Sequence, residues 1–170
     1  MICCVTGHRP KGFPFPRDNE NLIYMNYCLT LYDKVKELIF EGADEFISGM
    51  AEGVDVDFAN IVLLLRDEYY NIKLEAALPY PPRQHKKITE YIQDFESILI
   101  NCDKKTIISN NYSQGCMQKR NKYMVDKSDI ILAVWNGEKK GGTWSTIEYA
   151  LSKNKPIHYI MLNEIQPIPF

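Results

Sequence analysis

Short runs of apolar or β-branched residues alternate along this chain with longer segments of helical period, and this alternation limits the fold more than any other feature. The clearest run is Ile130–Trp135, in which six apolar residues follow one another. Such a run is typical of a strand that is buried on both faces. The clearest helical segment carries Ile88, Ile92, Phe95 and Leu99 at steps of four, three and four, which is the spacing of one buried helix face.

Helical segments of this length between strands indicate an α/β fold whose mainly parallel sheet is covered on both faces, with right-handed crossovers. We therefore predict a three-layer Rossmann-like fold with about six strands. The predicted strands are Ile2–Thr6, Glu45–Ser48, Lys73–Leu78, Lys105–Ser109, Ile130–Trp135 and Pro156–Met161. Besides the segment around Ile92, the predicted helices are Asn19–Glu41, Val54–Tyr70, Met117–Lys127 and Thr143–Lys153.

The composition is that of an ordinary globular domain, and it limits the partners. The chain has 170 residues, of which 20 are Lys or Arg and 22 are Asp or Glu, so its formal net charge is −2. This balance disfavours a protein that coats nucleic acid or an anionic membrane surface. We expect residues 1–170 to form a single domain, with 165–170 as a surface tail, because no repeat or linker divides the chain.

No stretch of the sequence has the pattern of a membrane span or a leader. The longest apolar run has six residues, whereas a membrane-spanning helix needs about 20. Met1 leads directly into the apolar Ile2–Val5 without a basic segment or a cleavage site. We therefore expect a cytoplasmic protein with no membrane partner.

The spacing of cysteine and histidine indicates neither disulfides nor a metal site. The five cysteines are odd in number and contain no Cys-x-x-Cys pair, and the three histidines lie in separate segments. We expect no metal, and the residues require no cofactor.

Glycine-rich segments follow three of the predicted strands. They are Thr6–Pro10, Ser48–Asp55 and the stretch Asn136–Thr143, which contains Gly141 and Gly142. Glycine lets backbone approach a ligand closely, and a helix N-terminus offers free N–H groups with partial positive charge. One such turn alone serves most often to connect a strand to a helix, but three at the same sheet edge predict a site for a phosphorylated, nucleotide-sized ligand.

Two arginines, one in the first of these turns and one in the predicted helix Met117–Lys127, and a threonine in the third turn are candidates to hold the ligand. Arg9 and Arg120 each offer a planar charged fork that suits phosphate, and the alternative for each is a solvated or salt-bridged surface arginine. Thr143 is a candidate N-cap for the helix that follows Gly141 and Gly142.

The acidic candidates and His8 each have two interpretations. Asp55 stands at the start of a predicted helix, where it either favours the helix dipole or contacts the ligand. Asp126, at a helix C-terminus, needs a compensating partner or a polar ligand. Glu148 can bond a ribose hydroxyl, stabilise a cationic sugar or pair with a lysine. His8 can contact phosphate or titrate near neutrality.

Aromatic residues near these turns are candidates to stack on a base, although a packing role in the core or at the rim is the simpler interpretation for each. They are Tyr80, Tyr123, Trp135 and Trp144. The basic residues form no continuous stripe along the predicted sheet edge, so nucleic acid is an unlikely partner.

Several of these motifs resemble known families. The segment Ser48–Asp55, followed by Phe58 and Ala59, is similar to the Ser-Gly-x-Ala-x-Gly-Ile/Val-Asp signature of the DNA-processing protein A (Smf) family. Thr6–Arg9, Leu78–Tyr80 with Gln84, and Asp126–Asp129 resemble the YpsA-like family. Both families belong to the SLOG superfamily, and the resemblance runs from Thr6 to about Ala150.

A third resemblance is to the LOG-type nucleoside monophosphate phosphoribohydrolases, which share this superfamily. Met117-x-x-Arg120-Asn121-x-x-Met124 and Gly141-Gly142-x-Trp144-Ser145-x-x-Glu148 are similar in spacing to two motifs of that family. The resemblance implies that Arg120 and Glu148 occupy the places of its catalytic pair. The sequence departs from that family at four positions. The family has Pro, Lys, Gly and Thr where this chain has Lys140, Asn121, Trp144 and Ser145.

The resemblance to the YpsA-like family implies a sensing or regulatory protein that binds a nucleotide or an ADP-ribose-like or NAD-like ligand. The alternatives are a nucleoside 5′-monophosphate N-glycosidase, with Arg120 and Glu148 as catalytic residues, and a single-stranded DNA-binding module. A homodimer is expected by analogy with related enzymes. The residues predicted to contact the ligand are Thr6, Gly7, His8, Arg9, Ser48, Gly49, Gly53, Asp55, Arg120, Asn121, Asp126, Gly141, Gly142 and Thr143.

Overall fold

The structure is a computed structural model that describes residues 1–84 and 92–169, apart from the side chains of Gln84 and Ile92. The strands are β1 (Ile2–Gly7), β2 (Glu45–Ser48), β3 (Lys73–Leu78), β4 (Lys104–Ile107), β5 (Ile130–Trp135) and β6 (Ile157–Met161). The helices are α1 (Leu22–Phe40), α2 (Val54–Arg66), α3 (Ile92–Asn101), α4 (Cys116–Lys127) and α5 (Gly141–Ser152).

All six strands form one parallel sheet in the order β4-β3-β2-β1-β5-β6. The predicted α/β class and parallel sheet are therefore confirmed. The central strands β1 and β5 are paired from Cys3 opposite Ile130 to Gly7 opposite Val134. Their residues are almost entirely buried, which explains the uninterrupted apolar run in the sequence.

Helices cover both faces of the sheet, which gives the three predicted layers. A large core lies between one face and α1, α2 and α3, with Leu31, Phe46 and Phe58 fully buried in it. A smaller core lies between the other face and α4 and α5, around Cys4, Ile131 and other buried residues. Most of the apolar surface that leaves water on folding lies in the first core, which anchors the sheet.

The element boundaries differ from the predictions where capping and edge position decide them. The predicted helix Asn19–Glu41 begins at Leu22, because the side chain of Asn21 accepts hydrogen bonds from the N–H groups of Ile23 and Tyr24, both at 3.0 Å. The predicted helix Val54–Tyr70 ends at Arg66.

The edge strand β4 is shorter than predicted and shifted by one residue, since it is mostly exposed and its apolar pattern is weak. In the predicted helical segment around Ile92, Phe95 is buried and Leu99 packs partly buried against the core. Ile88 of that pattern lies outside the described residues. None of the helices in the described parts of the chain is long and apolar enough to span a membrane.

The segment predicted as a surface tail runs beside α1. Asn26 donates a hydrogen bond to the carbonyl of Gln166 at 2.8 Å, and the N–H of Ile168 donates to the carbonyl of Leu22 at 3.4 Å. Ile165 packs against the larger core.

The strand order reverses direction between β1 and β5. The chain adds strands to one side of β1 as far as β4 and then crosses to the other side for β5 and β6. At such a switch point the loops after the two neighbouring strands diverge, and they leave a crevice at the carboxyl ends of the strands. The loops after β1 and β5 both border this crevice.

Candidate functional site

A cavity of about 770 Å³ opens in this crevice. It is bordered by the end of β1, by the loops after β1 and β5, by α4 and by the first turns of α5. Most of the residues predicted to contact a ligand line it: Thr6, Gly7, His8, Arg9, Asp55, Arg120, Asn121, Gly141, Gly142 and Thr143. Distant parts of the sequence therefore meet at one place, as the sheet-edge argument predicted.

The loop after β1 is joined to the loop after β5 through His8. The Nε2 atom of His8 accepts a hydrogen bond from the N–H of Asn136 at 3.2 Å, so the proton of the neutral ring resides on Nδ1. Asn136 also donates from Nδ2 to the carbonyl of Gly12 at 3.1 Å. Partial burial lowers the pKa of His8 below its ordinary value, which favours the neutral ring that this contact needs.

Helix α4 presents one face to the cavity. Met117, Arg120, Asn121 and Met124 all line it, at steps of three, one and three residues. Residues three and four apart lie on the same side of a helix, so this spacing places all four along one stripe. The resemblance to the LOG motif in this segment therefore has a geometrical basis: the motif is a helix face turned to the cavity.

Arg120 is 5% exposed and is held by two acceptors. Its Nη1 donates to the carbonyl of Gly49, and its Nε donates to Oδ1 of Asn121 at 2.7 Å. Asn121 donates in turn to the hydroxyl of Thr146 on α5, at 3.0 Å. Within the described residues Nη2 of Arg120 has no acceptor, so this cationic group remains free to bond a guest in the cavity.

Asp55 is 7% exposed and lies beside Arg120. A Cβ built on Gly49 would be 2.7 Å from both Asp55 Oδ2 and Arg120 Nη1, so the two charged groups share the space that Gly49 leaves. The N–H of Ala51 donates to Oδ2 at 3.2 Å. Burial raises the pKa of Asp55 while the positive charge of Arg120 acts in the opposite direction. Burial likewise lowers the pKa of Arg120, and Asp55 opposes that effect.

The N-terminus of α5 forms another wall of the cavity. The helix begins at Gly141, where φ is +79°, and its N-cap residue makes no side-chain capping hydrogen bond. The prediction that Thr143 is the N-cap is wrong, since Lys140 is the N-cap residue and Thr143 already lies inside the helix. The first N–H groups of a helix have no acceptor within it. Those of Gly141, Gly142 and Thr143 are thus free for an anion.

Three of the predicted contact residues in the Ser48–Asp55 turn do not line the cavity but lie behind its wall. Ser48 is fully buried, donates from its hydroxyl to the carbonyl of Asp55 at 2.7 Å and accepts from the N–H of Met50 at 3.1 Å. Gly49 carries the carbonyl that Arg120 bonds, and Gly53 packs against the loop after β1. The structure therefore places Ser48, Gly49 and Gly53 as supports for Asp55 and Arg120.

Asp126 and Glu148 are also not among the residues that line the cavity. Asp126 accepts hydrogen bonds from the hydroxyl of Tyr149 on α5, at 2.9 and 3.1 Å, which is the compensating partner that its position required. Glu148 is exposed on α5. Thr146 lines the cavity, and a residue two positions further along a helix is rotated by about 200°. Glu148 therefore points away from the cavity, and the structure does not bring it to Arg120.

The aromatic residues singled out in the sequence lie elsewhere. Trp135 and Trp144 stack on each other with ring centroids 5.3 Å apart, and the hydroxyl of Tyr123 donates to Glu75. Tyr80 packs edge-on against another tyrosine ring. Among the described residues, the phenyl ring of Phe13 lines the cavity, and sequence reasoning missed it.

Other cavity residues were also missed, although the sequence held a signal for some of them. Asn136 follows directly after β5, and Thr146 lies one helical turn beyond Gly142, on the same face. Both positions could have been proposed from the element boundaries. Phe13 and Pro14 gave no such signal, because a proline-containing loop has no periodicity that predicts which side chain faces inward.

These features define a Rossmann-like α/β domain with a cavity at the switch point of its sheet. The chain belongs to the YspA SLOG family, whose YpsA model matches residues 3–165. The resemblance predicted from the motifs is thus confirmed.

The chain is also similar to curated proteins of Bacillus over nearly its whole length. It is 25% identical to a UPF0398 protein of Bacillus cereus (strain G9842), over 98% of this chain and 94% of that protein. It is 20% identical to the UPF0398 protein YpsA of Bacillus subtilis (strain 168), over 97% of this chain and 94% of that protein. A UPF0398 protein of Bacillus velezensis is 20% identical over 97% of this chain and 93% of its own length.

Proposed function

We propose that this protein binds a nucleotide or an ADP-ribose-like ligand in the cavity at the switch point, in a sensing or regulatory role. The observation that carries the proposal is the N-terminus of α5, whose N-cap side chain makes no capping hydrogen bond and which opens on a cavity that Arg120 also lines; among the described residues Nη2 of Arg120 has no acceptor. Free helix N–H groups favour an anionic group on the guest, and a guanidinium nitrogen without an acceptor favours a guest that also carries a hydrogen-bond acceptor elsewhere.

The charges around the cavity support a phosphorylated ligand. Arg9, Lys11, Arg120 and Lys140 line it against Asp55 and Glu138. Lys140 is paired with Glu138 at 2.9 Å, and Asp55 lies beside Arg120. Within the described chain Arg9 and Lys11 have no ion-pair partner, so the mouth of the cavity keeps an excess of positive charge. An excess of this sign raises the local concentration of phosphate-bearing molecules.

The size and the apolar part of the cavity suit the rest of such a ligand. A volume of about 770 Å³ lies within the range of about 300–1,000 Å³ that small-molecule sites occupy. Phe13, Pro14 and Met117 supply apolar wall against which a base can pack. We therefore assign phosphate to the side of the cavity at the start of α5 and the base to the side of Phe13.

The position of Glu148 favours a binding role over the N-glycosidase alternative. That alternative needs Glu148 next to the sugar, and Glu148 is exposed on the side of α5 that faces away from the cavity. No contact of the described residues favours the single-stranded DNA alternative either, and the cytoplasmic location remains a prediction of the sequence.

Calorimetric titration of the protein with AMP, ADP-ribose and NAD tests the proposal. Gly142→Asp and Gly142→Asn form a matched pair of variants, because a Cβ at Gly142 meets nothing within 4 Å and the two side chains differ mainly in charge. We expect at least one compound to bind the wild type. Gly142→Asp should then weaken binding about tenfold or more relative to Gly142→Asn, since a carboxylate at this helix end repels phosphate.

Absence of binding by all three compounds would overturn the proposal. Equal affinities of the Asp and Asn variants would mean that the phosphate does not bind at the start of α5. Thermal unfolding of both variants is the control for folding, because an acidic residue in the first turn of a helix stabilises it.

A further inference from the structure

Asp55 and Arg120 form a buried pair in which each member keeps one free group. They are 7% and 5% exposed, and both line the cavity. Asp55 uses Oδ2 to accept from the N–H of Ala51, and Arg120 uses Nη1 and Nε to reach Gly49 and Asn121. Oδ1 of Asp55 has no donor and Nη2 of Arg120 has no acceptor within residues 1–84 and 92–169.

The turn after β2 holds this carboxylate in place before any ligand arrives. The hydroxyl of Ser48 donates to the carbonyl of Asp55 at 2.7 Å, while the N–H of Ala51 fixes one carboxylate oxygen. Gly49 has no side chain, so the carboxylate and the guanidinium can both approach its backbone. A buried group that is held this firmly loses little conformational entropy on binding.

The pair is a poor site for phosphate itself. A phosphate bonded to Arg120 would lie against the carboxylate of Asp55, and two like charges in a buried site repel each other strongly. The start of α5 binds phosphate without that conflict, because no acidic side chain lies in its first turn. The pair instead suits a neutral group that donates one hydrogen bond and accepts another. Neighbouring sugar hydroxyls are such a group, since each hydroxyl is both donor and acceptor.

We infer that Asp55 and Arg120 bind the 2′- and 3′-hydroxyls of the ligand's ribose, so that the protein selects ribonucleotides over deoxyribonucleotides. The inference rests on the proposed function and names the part of the ligand that this pair holds. In this arrangement one hydroxyl donates to Oδ1 of Asp55 and the neighbouring hydroxyl accepts from Nη2 of Arg120. A ligand that lacks either hydroxyl leaves a buried charged group unpaired, which is costly.

The test uses the wild-type protein with AMP, 2′-deoxy-AMP and 3′-deoxy-AMP in calorimetric titrations. We expect AMP to bind at least about tenfold more tightly than either deoxy compound, because a site built to bond a hydroxyl rejects an analogue that lacks it. Equal affinity for all three would overturn the inference while the proposed function stands. If AMP, ADP-ribose and NAD all fail to bind, the proposed function falls, and this inference falls with it.

Variants then assign the selectivity to the pair. Asp55→Asn keeps the shape of the side chain and removes its charge, and we expect the ratio of the deoxy-AMP to AMP dissociation constants to fall toward one. Glu138→Gln is the matched control, because Glu138 also lines the cavity but is exposed and pairs with Lys140. This control should leave the ratio unchanged.

A further ligand covers the case in which Asp55→Asn fails to fold. The base of GMP presents two neighbouring N–H donors, at N1 and N2, that suit a carboxylate, whereas the same edge of adenine presents one donor. A preference for GMP over AMP without any loss for the deoxy compounds would therefore place the pair at the base. That outcome would overturn the assignment to ribose without the use of a variant.

Discussion

The turn that leads into α2, here the α2 turn, contains Gly49 and Gly53, and the start of α5, here the α5 turn, contains Gly141 and Gly142. Both segments border the same cavity, but these glycines have different surroundings. A Cβ on Gly53 would lie 2.4 Å from the carbonyl oxygen of His8, and one on Gly49 would lie 2.7 Å from Arg120 Nη1. A Cβ on Gly142 would meet nothing within 4 Å. The first turn is therefore packed against protein, and the second leaves open space next to free helix N–H groups.

This difference separates two uses of glycine that look the same in a sequence. In the α2 turn, the missing side chain lets the backbone of one loop press against another, which fixes the positions of Asp55 and Arg120. In the α5 turn, the missing side chain leaves room for a guest. Glycine in the α2 turn should thus control the stability of the fold, and glycine in the α5 turn should control access to the cavity.

The largest effect is expected for Gly53→Ala. Gly53 has φ +99°, and its new Cβ would meet the carbonyl of His8, which is backbone and cannot move aside. We expect the free energy of unfolding in urea to fall by about 3 kcal/mol or more. Gly42→Ala is the matched control, because Gly42 has φ +102° and nothing within 4 Å. It should cost about 1–2 kcal/mol. Equal losses for the two variants would mean that backbone strain alone, without close packing, explains Gly53.

A smaller effect of opposite sign is expected for Gly142→Ala. The φ of Gly142 lies outside the left-handed region and its Cβ would enter open space, so alanine fits without strain. Alanine also restricts the unfolded chain and favours helix, and we expect unfolding to become harder by about 0.4–1 kcal/mol. Thermal or urea unfolding measures this gain. A loss comparable to that of Gly53→Ala would show that the α5 turn is packed like the α2 turn.

The smallest effect is expected for the pH dependence of the free energy of unfolding, through the contact of His8 between the loops after β1 and β5. Burial lowers the pKa of His8 from an ordinary value of 6.5, so the unfolded protein binds more protons than the folded one in the window below 6.5. The free energy of unfolding should fall as the pH decreases through that window, since a proton on Nε2 breaks the bond from Asn136. Urea unfolding at pH 7.5, 6.5 and 5.5 should show that the free energy of unfolding decreases less for His8→Gln than for the wild type. Identical profiles would exclude His8 as the source.

Much of the fold could be predicted because it depends on local pattern. The run Ile130–Trp135 became the strand β5 without change, since six apolar residues in succession suit a position buried on both faces. The start of α1 was missed by three residues, because Asn19 and Asn21 are both good capping residues in sequence. Only the folded chain shows that Asp18 accepts hydrogen bonds from the N–H groups of Glu20 and Asn21. These bonds form a turn over residues 18–21, so the helix begins after Asn21.

The candidate site could be predicted in part. The sheet-edge argument brought the loop after β1 and the start of α5 together, and both line one cavity, as does Arg120, which was proposed from its side-chain type and motif. It could not separate Asp55, which lines the cavity, from Ser48, which lies behind the wall, because both belong to the same turn. Glu148 was misplaced because a motif gives spacing along a helix, whereas the direction of a side chain depends on how the helix packs.

The sequence by itself determined the parallel α/β architecture and the sheet edge at which the glycine-rich turns gather, since both depend on the order and period of apolar residues along the chain. The tertiary structure alone decided which polar groups are left without partners in the cavity. Whether an atom such as Arg120 Nη2 has an acceptor depends on residues far apart in sequence, as the bond from Arg120 to Gly49, 71 positions away, shows. Hydrogen bonding of buried groups is a property of their neighbours in space, and residue type alone does not reveal it.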